Sequence, residues 1–279
     1  MTALIHKRST RLLGTVSFFA TLFMFLLAPY LDVNGVKVNG GALAVMAFLL
    51  LGVTVLGKIS HTRSLYWFFG ILVGAVVVHI IGFLLSDVSF KGSFLGVVLK
   101  LFVYALVGIT IGHIFQSYGF SKSKSINFVV FCIFLVGFIN AVIVVCGFFV
   151  PETKKFTESL LFLDPSANIN YETHEFRLRG LASAGGASLS VFHAVALLSA
   201  IWLFIEKVIG FVLLLTGIAF IGLSIFFVGR TGMFLTPLGL FFLFLSYVLQ
   251  GRLPKKLLYS LLLVFSTGSL FIIFSYSLI

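Results

Sequence analysis

The sequence predicts an all-α, polytopic transmembrane helical bundle with about nine spans, each long enough for a bilayer. Three observations carry that expectation. Apolar residues fill 60% of the 279 positions and charged residues only 10%, where a soluble domain carries roughly 25% charged. Apolar blocks of roughly 20 residues, the length a helix needs to cross a hydrocarbon core of about 30 Å, recur along the chain. The connections between them are short and polar, apart from the stretch 151–181. Even at roughly 75% burial, a soluble fold of this size lacks the interior to hide so much apolar surface, so the excess faces lipid. The 35 Phe against 2 Trp and 8 Tyr suit a surface packed on acyl chains. A bacterial-type β-barrel is excluded, because its strands would read as alternating segments of about ten residues.

The blocks lie near 12–30, 41–57, 66–85, 93–115, 127–150, 182–205, 208–228, 232–250 and 257–278. Together they make a single integral membrane domain over 1–279. Lys7, Arg8 and Arg11 precede the first block as in a signal peptide. That block, however, ends in Leu27-Ala28-Pro29-Tyr30 without a small-x-small cleavage site, so it reads as a retained span. The ninth block runs to Ile279 with no polar tail, which reads as a truncated frame. Cys132 and Cys146 share one block and, at ~1.5 Å of rise per residue, stand about 21 Å apart along a helix, too far to bridge. No metal-ligand spacing exists, and neither a metal nor another cofactor is expected.

A formal net charge of +11 raises nucleic acid as a partner, but that requires a basic patch on a folded domain. Here the Lys and Arg stand singly or in pairs between apolar blocks, as orientation signals and headgroup contacts; no nucleic acid is expected. With the N-terminus inside, the inner connections hold Lys7, Arg8, Arg11, Lys58, Arg63, Lys122, Lys124, Lys207, Arg252, Lys255 and Lys256. The outer ones hold Lys37, Lys91, Lys154, Lys155, Arg177, Arg179 and Arg230. That is eleven against seven, with four of the seven in one long loop, which counts less. The N-terminus is therefore cytoplasmic.

The outer loop 151–181 exceeds a linker's length, which points to a functional role. In Glu152–Leu163, Phe156, Leu160 and Leu163 fall on one helical face, the pattern of a short helix lying in the membrane interface. The stretch Asp164–Glu175 is dense in amides, carboxylates and a Tyr, which suit either sugar hydroxyls or plain solvent. Phe176-Arg177-Leu178-Arg179-Gly180-Leu181 then leads into a run of small residues that opens the sixth span. Small residues let helices or an oxygen-rich ligand approach closely, and glycines near a helix N-terminus favour anions. Arg230, in Phe227-Val228-Gly229-Arg230-Thr231-Gly232, occupies a turn so tight that it sits at or just below the membrane surface. A guanidinium there needs an anionic partner, a water-filled cavity or a lipid phosphate. Arg177, Arg179 and Arg230 thus share one depth, that of a lipid-linked diphosphate, whose oxygens a planar guanidinium meets bidentately.

The pair Arg177-x-x-Gly180-Leu181 after an outer loop and Gly229-Arg230-Thr231-Gly232 two spans on resembles the O-antigen polymerase and O-antigen ligase superfamily of the bacterial inner membrane. That family carries an R-x-x-G-L element and an S-R-T-G turn, and Gly229 stands here where the family has Ser. The likeness covers about Phe176–Leu240 by motif and the rest by hydropathy. It implies a metal-independent glycosyltransferase, with undecaprenyl-diphosphate-linked oligosaccharide as donor and, in a polymerase, as acceptor. Membrane lipid and a chain-length regulator are the further partners. The arginines would hold the diphosphate as leaving group. Family members have further spans and a second large outer loop beyond the position of Ile279.

Lys100, near the outer end of the fourth span, either snorkels outward or lines the cavity as a fourth phosphate contact. His79 and His113 read as packing residues near span ends, and mid-span His193 as an interhelical hydrogen bond, three residues after Ser190. The exposed Glu172, His174 and Glu175, beside the arginines, are the candidate general bases. The competing classes are a ligase, a transporter or flippase of lipid-linked saccharide, and a non-catalytic scaffold. A transporter predicts repeats with spans broken at matching positions, and no mid-membrane proline is expected here. A scaffold gives no reason for three arginines at one depth. No glycine-rich nucleotide loop lies on the inner side.

The charge bias predicts the side of each connection. A single cysteine at Asn168 should react with an impermeant thiol reagent on intact spheroplasts, and one at Lys255 only after permeabilisation; the reverse pattern would sink the orientation.

Overall fold

Long apolar blocks with no partner for the backbone but itself form helices, since a lipid environment leaves every N–H and C=O to be satisfied within the chain. The computed structural model describes residues 2–33, 36–56, 122–161, 178–182 and 186–251, with single positions at 70, 73, 74, 77, 107, 108, 110, 111 and 259. The elements are α1 (Thr2–Leu27), β1 (Tyr30–Val33), β2 (Val36–Asn39), α2 (Gly40–Leu56), α3 (Lys122–Phe149), α4 (Pro151–Leu160), α5 (Ala187–Ile205), α6 (Phe211–Val228) and α7 (Arg230–Leu249). Of these, α3, α5, α6 and α7 are long and apolar enough to cross a membrane. They coincide with the blocks expected near 127–150, 182–205, 208–228 and 232–250. The blocks near 66–85, 93–115 and 257–278 lie almost wholly outside the described residues, as does most of the outer loop.

The chain divides into two compact units, one of Met1–Ala42 with Ile126–Ile279 and one of Leu43–Ser125. In the second unit, Ala44, Phe48, Val107, Thr110 and Ile111 are buried. The first unit holds the candidate site. Its centre is α5, which packs against both α6 and α7. Within its apolar window α5 is 56% buried, against 17% for α7, so α5 is the hub and α7 flanks it. The core gathers Phe134 and Ala141 of α3, Ala194, Ala200 and Ile201 of α5, Ile218 and Ile221 of α6, and Leu240 of α7.

Small residues make these crossings close, the usual device where lipid supplies no hydrophobic drive between helices. A Cβ at Gly137 of α3 would collide with that of Ala196 on α5. One at Gly217 of α6 would stand 3.0 Å from the buried Phe134 ring. One at Gly239 of α7 would strike Leu198.

Two features depart from the expected plan. The connection Tyr30–Asn39 is an antiparallel hairpin, with Tyr30 opposite Asn39 and Val33 opposite Val36. Its signal was Asn34-Gly35, the dipeptide most favoured in two-residue hairpin turns. Asn39 goes on to cap α2, its Oδ1 accepting from the Ala42 N–H at 3.0 Å. Second, Pro237 lies inside α7, contrary to the expectation of no mid-membrane proline. The helix nevertheless runs on to Leu249, so the proline breaks no span.

A helix does occupy the start of the outer loop, with Pro151 in its first turn. Phe156 and Leu160 are exposed on α4, while Leu163 lies outside the described residues. Leu161, just beyond α4, bridges to Leu31 of β1. A second cluster joins Leu27 of α1, Val144 of α3, Leu178, Ala182, Leu189 of α5 and Val228 of α6. Phe148 and Phe227 stack beside it, their centroids 4.1 Å apart. The ends of α1, α3 and α6 and the start of α5 therefore meet at one end of the bundle.

Because Gly137 and Ala196 leave no room between α3 and α5, Gly137→Ala should destabilise by about 1–3 kcal/mol through overpacking. Adding Ala196→Gly should recover most of that loss. Unfolding followed by thiol accessibility in detergent reads both, and a harmless single substitution refutes the packing.

Candidate functional site

Residues 178–182 form a turn that runs along the bundle end with Leu178, Arg179 and Ala182 buried. The Ala182 N–H donates to the Arg179 carbonyl at 3.1 Å. Between them Gly180 has φ +58°, a left-handed conformation that costs a side-chain-bearing residue but not glycine. A Cβ there would also run into Asn140 Oδ1. Arg179 is 7% exposed, and a guanidinium at that depth must be surrounded by acceptors.

The turn is held by Asn140, a fully buried amide in α3. Its Oδ1 accepts from the Leu181 N–H at 2.7 Å. Since a backbone N–H only donates, the facing amide atom is oxygen, which settles the orientation of the group. Nδ2 then points to the Arg179 carbonyl at 3.4 Å and to His193 Nε2 at 3.2 Å. Nδ2 only donates, so His193 Nε2 accepts, and the imidazole carries its proton on Nδ1. That nitrogen faces Ser224 Oγ of α6, to which it donates a hydrogen bond. Three buried polar side chains from three helices thus form one directional chain, ending on the Arg179–Leu181 backbone.

One turn before His193 on the same helix, Ser190 makes a second fastening. Its hydroxyl donates to the Gly229 carbonyl at 2.5 Å and accepts from the Gly232 N–H at 2.8 Å. Ser190 thereby supplies to α7 the cap that its own N-cap residue, Gly229, has no side chain to give. A Cβ at Gly232 would overlap Ser190, and one at Gly229 would press on the Gly186 backbone at 3.3 Å. Gly186 is itself the N-cap of α5, with φ 71°. The N-termini of α5 and α7 consequently converge, neither with a side-chain cap of its own. Helix N-termini carry partial positive charge, so their convergence gathers positive potential at this end of the bundle.

Of the expected site residues, Arg179 stands in this turn and Arg230 is the first residue of α7, separated from α6 by Gly229 alone. The expectation of a very tight turn at Arg230 holds. Arg177, Lys100, Glu172, His174 and Glu175 lie outside the described residues, as do His79 and His113. His193 is the interhelical hydrogen-bonding residue its mid-span position suggested. Sequence reading passed over Asn140 and Ser224. The available signal was a lone amide and a lone hydroxyl deep in apolar blocks, where polar groups are costly and rarely idle. Cys132 and Cys146 are both free. Among the described residues no group of three or more His, Cys, Asp or Glu is arranged to hold a metal.

No protein-family model, curated protein or solved structure matches this chain.

Removing the Ser190 hydroxyl strands the buried Gly232 N–H and a carbonyl. Ser190→Ala should therefore cost about 1–3 kcal/mol of stability. Thermal unfolding in micelles measures it, and a midpoint within error of the unsubstituted protein would show that the fastening carries no weight.

Proposed function

We propose that this chain is a bacterial inner-membrane glycosyltransferase of the O-antigen polymerase type, joining undecaprenyl-diphosphate-linked oligosaccharide repeat units at the periplasmic face. The supporting observation is the joint fastening of two arginine-bearing motifs. Asn140, backed by His193, holds the Arg179 turn, and Ser190, one helical turn from His193, holds the Gly229–Gly232 turn. Sequence segments about 50 residues apart along the chain are thus linked through α3 and α5, which suits two contacts on one diphosphate.

In the reaction, a hydroxyl of the acceptor saccharide attacks the anomeric carbon of the donor. The bond from that carbon to the diphosphate oxygen breaks, and the lipid diphosphate departs. Arg177, Arg179 and Arg230, with Lys100 as a fourth cation, stabilise the charge growing on it. Glu172, His174 or Glu175 takes the hydroxyl proton. The step needs no metal, because guanidinium groups and helix N-termini supply the positive field.

The bundle supports the required topology. The ends of α1, α3 and α6 and the starts of α2 and α5 lie at one end. The same end would then be periplasmic, with Phe156 and Leu160 of α4 resting in the interface. The continuous course of α7 through Pro237 offers no broken span for a transporter.

Replacing Arg177, Arg179 or Arg230 by Ala should abolish long O-antigen chains. The lipopolysaccharide should then bear a single repeat unit while the protein is still made and inserted. A loss of ~2–4 kcal/mol of leaving-group stabilisation slows chemistry about 30- to 1,000-fold. Lys should rescue only in part, since an ammonium cannot copy a planar fork. A normal chain-length ladder from Arg230→Ala at normal abundance would refute the diphosphate role, and complete loss of O-antigen from the lipid core would indicate a ligase instead.

A further inference from the structure

We propose that Asn140 is the positioning residue for Arg179, its amide setting where that arginine meets a lipid-linked diphosphate; this rests on the donor-diphosphate reading above. Asn140 touches the turn on both sides of Gly180. It binds the Arg179 carbonyl through Nδ2 and the Leu181 N–H through Oδ1. The backbone that carries the arginine is clamped before and after its one flexible residue. With φ +58° at Gly180 and no space for a Cβ against Oδ1, turn and amide fit only each other.

The amide is in turn held from behind. His193 Nε2 accepts from Nδ2, and His193 Nδ1 bonds Ser224 Oγ, so rotation of the Asn140 side chain would break contacts in two helices. All three side chains are buried, Asn140, His193 and Ser224 each at 0% exposure. Well-packed apolar residues would serve cohesion at least as well as such a network. A buried polar chain whose terminal bonds fall on one turn instead specifies the placement of that turn.

The same helix face carries Ser190, which holds the Arg230 turn. The amide therefore does more than satisfy two backbone groups. It registers the Arg179 turn against α5, the helix that also fastens the Gly229–Gly232 turn. A shift of ~1 Å in a diphosphate contact is enough to lose most of its effect on a bound group.

The test uses the full chain in nanodiscs of phosphatidylethanolamine and phosphatidylglycerol, with undecaprenyl diphosphate as probe and undecaprenyl monophosphate as reference. Hydrogen exchange at residues 178–182 reports the turn itself, and equilibrium binding reports its use. Asn140→Ala should speed exchange at Leu181 and weaken diphosphate binding, each about 5- to 100-fold. Combined with Arg179→Ala, it should cost less than about threefold beyond Arg179→Ala alone, because both act through one contact. Gly180→Ala moves the same turn without removing any polar atom from the helices. It should reproduce both losses, and it carries the test if Asn140→Ala does not fold. Unchanged exchange and binding in Asn140→Ala and Gly180→Ala overturn the proposal. So do additive losses, or weak binding in Arg179→Ala with normal binding in Asn140→Ala, both of which leave the diphosphate reading standing. Undiminished binding in Arg179→Ala overturns the diphosphate reading and the proposal together.

Discussion

The site depends on a single buried amide. An Asn side chain deep among apolar helices is tolerated only if its donors and acceptor are all met, since an unpaired polar group there costs several kcal/mol by roughly the estimates for apolar transfer. Asn140 meets that demand by reaching out of its own helix to the Arg179–Leu181 turn and to His193. The desolvation that makes the amide expensive also makes its hydrogen-bond partners costly to lose. A loop residue and a mid-span histidine thereby become parts of one structure.

Helix α5 is where these demands meet. It begins at Gly186, in a conformation open to glycine, and presents Ser190 and His193 one turn apart toward two different segments. Ala196 on it admits α3 at Gly137, while Gly239 of α7 makes room for its Leu198. Close approach brings hydroxyl and imidazole within bonding distance of their partners. Larger residues would keep the same helices apart and leave the polar groups stranded. Packing and polar satisfaction are thus one requirement here, met by small residues at the crossings.

The glycine turn between α6 and α7 follows the same logic. A single residue, Gly229, separates the helices, so the first N–H groups of α7 face the bundle end with no side chain of their own to receive them. Ser190 answers for one of them from another helix. A Cβ at Gly229 would press on the Gly186 backbone, so the approach of α5 and α7 favours glycine at that position.

Much of the bundle was legible in the hydropathy alone, because a bilayer admits almost nothing but helices of one length. The expected blocks at 127–150 and 208–228 correspond to α3 at Lys122–Phe149 and α6 at Phe211–Val228. The interfacial segment was expected at 152–163, and its helix is Pro151–Leu160. The Tyr30–Asn39 hairpin was signalled only by the dipeptide Asn34-Gly35, and Pro237 stands within a block whose hydropathy is otherwise unbroken. At the site, the arginines stood out because charge is rare in such a chain. Asn140, Ser190 and Ser224 did not, since one amide or hydroxyl among apolar residues has no meaning until its partner is known. Composition and periodicity determined by themselves that the chain is mostly helical and where α3, α5, α6 and α7 run, because these follow from local hydrophobicity. Which residues meet was decided only by the tertiary structure: the hydrogen bonds that join Asn140 to Leu181 and His193 to Ser224 span 41 and 31 positions. Direct contacts across such separations depend on how helices cross, and no local pattern encodes that.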